Sequence, residues 1–358
     1  MSTKTSTEST SNYWARYENS IFDEMRRDGI TNLRGHARGP GSTASFGGGA
    51  GIGVGKGPLL NIDPFDSRWE SWDESGFVWY WNRLINRVAR HFPQFGILAS
   101  RIALAREVAS DFQNAIFQSQ FGLLEQLVPE WMLDAAIEPD TGSPVQFSAR
   151  GKNWSGPWLK ELAQVASMER CGLLSDGQVI LEIGGGIGLK ALLITQLYPS
   201  TTVIFVDIPP ALAVAEAYLS IARTGGVCGY RQTKETESVY LGSGDRIFMV
   251  APWQVDKIPS MSVDGAINTG SFQEMEEEQV QFYGGLIKRT VKDFVWHANL
   301  ISGHDQAMRK GDHGVLAPVS SVFIEQTLAP EFSLRDSRMA FTLTGKSNDS
   351  VEQAYDRL

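Results

Sequence analysis

The stretch that decides the fold is residues 179–188, which read VILEIGGGIG. Its first five residues are mostly apolar and predict a short buried strand. Glycines then follow at once, and LKALLITQLY behind them has the apolar content of a helix packed on a sheet. Because glycine lets the backbone turn sharply and approach a ligand closely, this order of strand, loop and helix is typical of nucleotide-binding α/β proteins.

Similar apolar runs recur downstream and predict further strands, namely TTVIFVD (201–207), RIFMV (246–250), VDGAIN (263–268) and DFVWHANLI (293–301). Helical segments separate most of these runs. Strands that alternate with helices favour a mostly parallel, doubly wound sheet with helices on both faces. Such a sheet binds ligands at the carboxyl ends of its strands, so we expect the functional residues to follow the strands directly.

A carboxylate stands at the end of the second predicted strand. Asp207 follows Gly188 by nineteen residues, a position from which an acid can accept both hydroxyl hydrogens of a ribose. The NAD pattern G-x-G-x-x-A is met by Gly186, Gly188 and Ala191, but it starts two residues late and leaves Glu182 unexplained. The pattern E-x-G-x-G-x-G, from Glu182 to Gly188, is usual for enzymes that use S-adenosylmethionine.

A second glycine run, GGGAGIGVGKG at 47–57, imitates a phosphate-binding loop only in part. Ala50 stands where the leading glycine belongs, Gly57 replaces the Ser or Thr after Lys56, and no apolar strand precedes the run. We therefore predict a flexible loop at residues 39–57.

The composition excludes several classes of protein. The chain has 358 residues and a net charge of −9, which disfavours nucleic acid as a partner. It contains no apolar stretch of about 20 residues, so we expect no membrane span. Cys171 and Cys228 are too few and too far apart for a disulfide framework or a CxxC metal site. These features favour a cytoplasmic protein.

The chain divides into three predicted parts. Residues 1–12 are rich in Ser and Thr and read as a disordered tail. Residues 13–150 form a mainly helical N-terminal region with aromatic residues that suit a core, an acceptor site or a homodimer contact, among them Trp69, Trp72, Trp79 and Trp81. Residues 151–358 form the α/β domain.

Several motifs occur in an order that resembles the sugar O-methyltransferase family of class I S-adenosylmethionine-dependent enzymes. They are LEIGGGIG, VDIPPAL, APWQVDKI at 251–258 and INTGSFQEM at 267–275, and the resemblance covers roughly residues 150 to 300. It implies a Rossmann-like methyltransferase domain, S-adenosylmethionine as cofactor and a small-molecule acceptor such as a sugar or another natural product.

The resemblance also implies roles for single residues. Gly184, Gly186 and Gly188 would form the cofactor loop, and Glu182 would order that loop or reach the methionine amine through water. Asp207 would bind the ribose. Trp253 would stack on adenine or belong to the core, and Asn268 and Thr269 would lie beside the sulfonium methyl group or form a plain polar strand end.

Transfer to a hydroxyl benefits from a base that takes its proton. His297, near the carboxyl half of the fifth predicted strand, is our first candidate, with a buried core histidine as the alternative. Glu274 is the second, unless it caps the following helix. His304, Asp305, Asp312 and His313 match an Mg²⁺ site poorly because Mg²⁺ prefers carboxylates and water, so we predict no metal site and keep Mg²⁺ as an alternative.

Other functions stay open at this level. An NAD-dependent oxidoreductase is one, although its glycine pattern from Gly186 to Ala191 starts two residues late after the strand. N- or C-methylation is another, since class I folds host all three transfers. A non-catalytic binding protein would retain the fold without turnover.

Overall fold

The computed structural model describes Arg34 and residues 121–142, 144, 146–223, 225–239, 244, 246–309, 315–340 and 349–358. The predicted tail at 1–12, the helix at 13–30, the loop at 39–57 and the tryptophans at 69–81 lie outside these residues. The division of the chain at residue 150 therefore stays a prediction.

The described residues form the following elements in chain order: α1 (Glu130–Ala135), β1 (Gln146–Ala149), β2 (Lys152–Ser155), α2 (Gly156–Arg170), β3 (Val179–Ile183), α3 (Leu189–Leu197), β4 (Thr202–Val206), α4 (Pro209–Ala222), β5 (Val227–Cys228), α5 (Tyr230–Glu235), β6 (Ile247–Val250), β7 (Val263–Thr269), α6 (Glu277–Thr290), β8 (Val291–Leu300), α7 (Ser321–Leu328), β9 (Phe332–Met339) and β10 (Ser350–Arg357). Short 3₁₀ helices follow β6 at Pro252–Lys257 and β7 at Phe272–Glu274.

The central sheet has the strand order β5-β6-β4-β3-β7-β8-β10-β9. The strands from β5 to β8 pair in parallel, whereas β10 runs antiparallel to both β8 and β9. This confirms the predicted α/β class with a mostly parallel, doubly wound sheet. β1 and β2 form a separate antiparallel pair.

Helices cover both faces of the sheet, and two apolar clusters fill the spaces beneath them. What we call the α2–α4 face carries Ile180, Phe205, Ile267 and Trp296 among its core residues. What we call the α6–α7 face carries Leu181, Val206, Ala266 and Val295, which alternate with them along the same strands. Fully burying a Val, Ile, Leu or Phe side chain stabilises the fold by about 1.5–3 kcal/mol, so burial on both faces fixes the register of the strands.

Local signals explain where the helices begin. Ser155 caps α2, because its hydroxyl accepts a hydrogen bond from Trp158 N at 3.3 Å, and Pro157 stands in the first turn.

α2 and α3 run side by side in the same direction, since Glu161 pairs with Lys190 near their starts and Glu169 accepts from Tyr198 Oη near their ends. The first turn of α2 therefore lies beside the glycine loop that opens α3.

Within the described parts of the chain, none of the helices has the length and apolar character needed to cross a bilayer. Cys171 and Cys228 are both buried, and neither takes part in a disulfide.

Candidate active site

The candidate site lies at the carboxyl ends of β3 and β7, where the order in which the chain adds strands to the sheet reverses. After β3 the chain moves to β4 on one side, and it later returns to β7 on the other side of β3. The connections leave opposite faces at this point, so a crevice opens outside the carboxyl ends of β3 and β7. The glycine loop, Asp207 and the residues after Asn268 all follow strands at this edge.

The glycine loop is fixed closely to its surroundings. Gly184 N donates to Val206 O at 2.8 Å, which ties the start of the loop to the end of β4. Gly184 has a φ of 71°, in the left-handed region, and a Cβ there would overlap the side chain of Ser271. A Cβ at Gly185 would instead overlap Phe205 and Glu182. Packing on both sides thus requires glycine in the loop.

Asp207 is bound to the loop by its carboxylate. Oδ2 accepts from Gly186 N at 3.0 Å, and Oδ1 accepts from Ile208 N at 2.7 Å. The side chain is partly buried, and this burial raises the pKa of Asp207 to about 7, although both N–H groups act in the opposite direction. Each oxygen retains acceptor capacity for a ligand hydroxyl.

Glu182 lies beneath the loop on the α2–α4 face, close to Gly185 and only 3% exposed. Desolvation raises the pKa of Glu182 to about 8, with Lys190 as an opposing charge. Its Oε2 atom has no hydrogen-bond partner among the described residues. This position agrees with ordering of the loop from below, which is one of the two roles predicted for Glu182.

Lys190 supplies the positive charge next to Glu182. This buried ammonium pairs with Glu161, bonds Gln164 Oε1 at 2.5 Å and lies 6.0 Å from the ring centroid of Trp296. Sequence reasoning missed Lys190, but a lysine in the first turn of an otherwise apolar helix was a signal that could have revealed it.

Asn268 is 2% exposed and is engaged entirely within the protein. Its Nδ2 donates to Ile183 O at 2.9 Å and to Ser271 Oγ at 2.6 Å, while its Oδ1 accepts from Asn299 Nδ2 at 2.9 Å. The side chain therefore holds the strand ends together. Thr269, the last residue of β7, has a buried hydroxyl without a partner among the described residues.

Trp253 lies on the 3₁₀ helix after β6 and is 47% exposed, so it is not the core residue considered as an alternative. Tyr230, at the start of α5, meets it edge-on with ring centroids 6.3 Å apart. Two aromatic rings at the carboxyl end of β6 provide an apolar wall on the Asp207 side of the crevice. Tyr230 escaped sequence analysis because its approach to Trp253 depends on the tertiary structure.

His297 does not have the accessibility that our first choice of base requires. It is 0% exposed in the middle of the sheet, and its ring stacks on Tyr355 with centroids 5.8 Å apart. Burial lowers the pKa of His297 to about 3, so the ring is neutral near pH 7. The alternative of a buried core histidine describes this residue, and the prediction of a general base is corrected accordingly.

Glu274 lies on the short 3₁₀ helix directly after β7 and is partly exposed at the crevice side of the sheet. Glu276 directly precedes α6, and its carboxylate accepts from Leu316 N and Ala317 N at 3.2 Å. The N-cap of α6 is therefore Glu276, whose backbone N–H donates to Gln279 Oε1 at 2.9 Å, and not Glu274.

The structure brings no metal centre together among the residues it describes, where no group of three or more His, Cys, Asp or Glu could hold an ion. His304 and Asp305 belong to the loop after β8, whereas Asp312 and His313 lie outside the described residues.

Comparison with known proteins relates part of this chain to methyltransferases. A family model described as an O-methyltransferase domain matches residues 104–235, somewhat more than a third of the chain. No curated protein matches. The family match, taken with the loop and the sheet order, supports an S-adenosylmethionine-dependent methyltransferase.

Among solved structures, the magnesium protoporphyrin IX methyltransferase of Synechocystis PCC 6803 with bound S-adenosylhomocysteine is similar at 13% identity and a TM-score of 0.37. The match covers 57% of this chain and 84% of that one. The mitomycin 7-O-methyltransferase MmcR matches at 14% identity over 56% of this chain and 57% of its own, with a TM-score of 0.35.

Proposed function

We propose that the chain is an S-adenosylmethionine-dependent O-methyltransferase that acts on a hydroxyl group of a small molecule, either a sugar or another natural product. The observation that carries the proposal is the contact between Gly186 N and Asp207 Oδ2 at the switch point of the sheet. It joins the glycine loop to the acid that would hold a ribose, and the family match to an O-methyltransferase domain supports it.

The residues around the crevice fit this cofactor. Asp207 would accept the ribose hydroxyls with the acceptor capacity that its two backbone contacts leave. Trp253 and Tyr230 would contact adenine from one side. The loop from Gly184 to Gly188 would face the methionine part, where the unpartnered buried atoms Glu182 Oε2 and Thr269 Oγ1 mark polar capacity that the described residues do not use.

Bound S-adenosylmethionine supplies a methyl group already activated by its sulfonium. The protein would then align the acceptor oxygen with the methyl carbon, an arrangement that accounts for most of the acceleration in such displacements. Glu274 would take the proton of the acceptor hydroxyl as the oxygen attacks, because it is a partly exposed carboxylate directly after β7. Removing that proton during attack matters because a sugar hydroxyl is a weak nucleophile.

Calorimetric titration of S-adenosylmethionine and NADH, separately, into the wild type and Asp207→Ala tests the cofactor. We expect micromolar binding of S-adenosylmethionine alone and a loss of at least about tenfold in the variant, since two charge-assisted hydrogen bonds disappear. NADH binding without a response to S-adenosylmethionine would instead establish the oxidoreductase. Hydroxylated acceptors can then be screened by mass for a gain of one methyl group, with Glu274→Gln as the variant that tests the base.

Asp264→Asn is the matched control for Asp207→Ala. Asp264 also accepts a backbone hydrogen bond, from Val179 N at 2.6 Å, but it lies at the opposite edge of the sheet. Cofactor affinity should therefore be unchanged in Asp264→Asn. Equal losses in both variants would argue against a local role for Asp207.

A further inference from the structure

Side-chain amides join three strand ends beneath the crevice on the α6–α7 face. Asn268, on β7, donates to Ile183 O at the end of β3. Asn299, on β8, donates to Asn268 Oδ1 at 2.9 Å. Because Ile183 directly precedes Gly184, this series of hydrogen bonds leads from β8 to the first residue of the glycine loop.

The same residue on β8 also holds the turn that carries Glu274. Asn299 Oδ1 accepts from Gln273 N at 3.3 Å, and Gln273 Oε1 accepts from Leu300 N at 2.7 Å. The turn after β7 is thereby fixed to β8 at two points. The contacts also explain the polar residues of SFQEM that the proposed chemistry does not use directly.

Asn299 thus belongs to both sets of contacts, as does Asn268, whose Oδ1 also accepts from Phe272 N at 3.3 Å, and Asn299 is 1% exposed. Its amide must donate toward Asn268 and accept from Gln273 at the same time, which a carboxylate or an ammonium group cannot do. The neutral ring of His297 lies beside it, with Nδ1 at 3.5 Å from Asn299 Nδ2. His297 therefore belongs to the surroundings of Asn299 rather than to the surface of the crevice.

We propose that Asn299 is a positioning residue that sets the glycine loop and the Glu274 turn in a fixed relation to each other. The inference rests on the proposed function, in which the loop holds the cofactor and the turn faces the acceptor. An in-line displacement depends on the alignment of these two parts, and small displacements between them cost much of the rate.

The variant Asn299→Asp tests this role with little change in shape. It keeps an oxygen for Gln273 N but places a second oxygen against Asn268 Oδ1, so the hydrogen bond that orients Asn268 toward Ile183 O is lost. We expect amide hydrogen exchange at Gly184, Gly186 and Gly188 to accelerate about tenfold in the ligand-free protein. The dissociation constant of S-adenosylmethionine should rise by about tenfold as well.

Tyr355→Phe is the matched control. It removes one buried hydrogen bond on the same face, from Tyr355 Oη to Gln353 Oε1 at 3.0 Å, and keeps the ring that stacks on His297. We expect its melting temperature to fall while loop exchange and cofactor affinity stay within about twofold of the wild type. Such a result separates positioning from general loss of stability.

If Asn299→Asp does not fold, Asn299→Ser removes the bridge without adding a charge and allows the same comparison. The proposal is overturned if the folded variant leaves both loop exchange and affinity within about twofold of wild type, or if Tyr355→Phe reproduces its effects. Failure of the wild type to bind S-adenosylmethionine would instead overturn the proposed function, and loop exchange would still decide whether Asn299 positions the loop.

Discussion

On the α2–α4 face of the sheet, the polar group closest to the loop is the carboxyl of Glu182, with the Lys190 ammonium beside it. On the α6–α7 face, the corresponding groups are the amides of Asn268 and Asn299 and the neutral ring of His297. The loop lies between them, since Gly185 packs against Glu182 and Gly184 packs against Ser271.

Because of this difference, the buried groups on the two faces change the folding stability in opposite senses as pH changes. The pKa of Glu182 is raised by burial, so the folded state binds more protons than the unfolded state between about pH 4.5 and 8, and stability falls as pH rises there. The pKa of His297 is lowered by burial, so the unfolded state binds more protons between about pH 3 and 6.5, and stability falls as pH decreases. The hydrogen bond between the amides of Asn268 and Asn299, by contrast, involves no group that ionises.

The largest effect on cofactor binding should come from Gly184→Ala, which changes the residue at the boundary between the two faces. The new Cβ overlaps Ser271, and the left-handed backbone disfavours any side chain, so we expect a loss of about 2–4 kcal/mol in the free energy of unfolding. Binding of S-adenosylmethionine should be abolished. Chemical denaturation and calorimetry measure both quantities.

A second substitution shows which face of the sheet is responsible for the stability lost in Gly184→Ala. Ser271→Gly removes the overlapping side chain and should restore part of the stability of Gly184→Ala. It should not help Gly185→Ala, whose Cβ meets Phe205 and Glu182 instead. Equal restoration of both variants would contradict the division of the loop between the two faces.

Glu182→Gln should remove most of the pH dependence that the α2–α4 face contributes. In the ligand-free wild type, the shift from 4.5 to about 8 corresponds to a loss of about 4–5 kcal/mol across that window as pH rises. The variant should retain the contribution of Asp207, whose pKa is raised in the same sense to about 7, and the opposite contribution of His297 below pH 6.5. Urea denaturation at pH 5, 6.5 and 8 measures the slope, and an unchanged slope would mean that Glu182 is ionised in the folded protein.

His297→Gln should produce the smallest of these effects, because only the upper part of its window is accessible while the protein stays folded. Between pH 6.5 and 5, the wild type should lose about 2 kcal/mol through this residue, and the variant should lack that loss. The difference between pH 6.5 and 5 in the same denaturation series tests this. If His297 were instead the general base, the variant would lose turnover with little change in acid stability.

Much of the fold could be predicted because apolar runs alternate with helical segments along the chain. The five predicted strands and the glycine loop correspond to β3, β4, β6, β7 and β8. β9 and β10 were not predicted: FSLRDSRM is a half-buried edge strand with a weak hydrophobic pattern, and SVEQAYDR is a largely buried strand whose polar and charged residues hide it. Site residues were harder to predict from the sequence, because a polar residue on a strand can face either the crevice or the buried core.

The sequence by itself determined the order of strand, glycine loop and helix at 179–197 and the acid at 207, because turn chemistry and apolar periodicity are local properties of the chain. The tertiary structure alone decided which polar residues meet. Asn268 and Asn299 are separated by all of α6 and most of β8, and they come together only because β7 and β8 pair in parallel with Asn268 opposite His297. That register, set by burial on both faces, also closes His297 off from solvent.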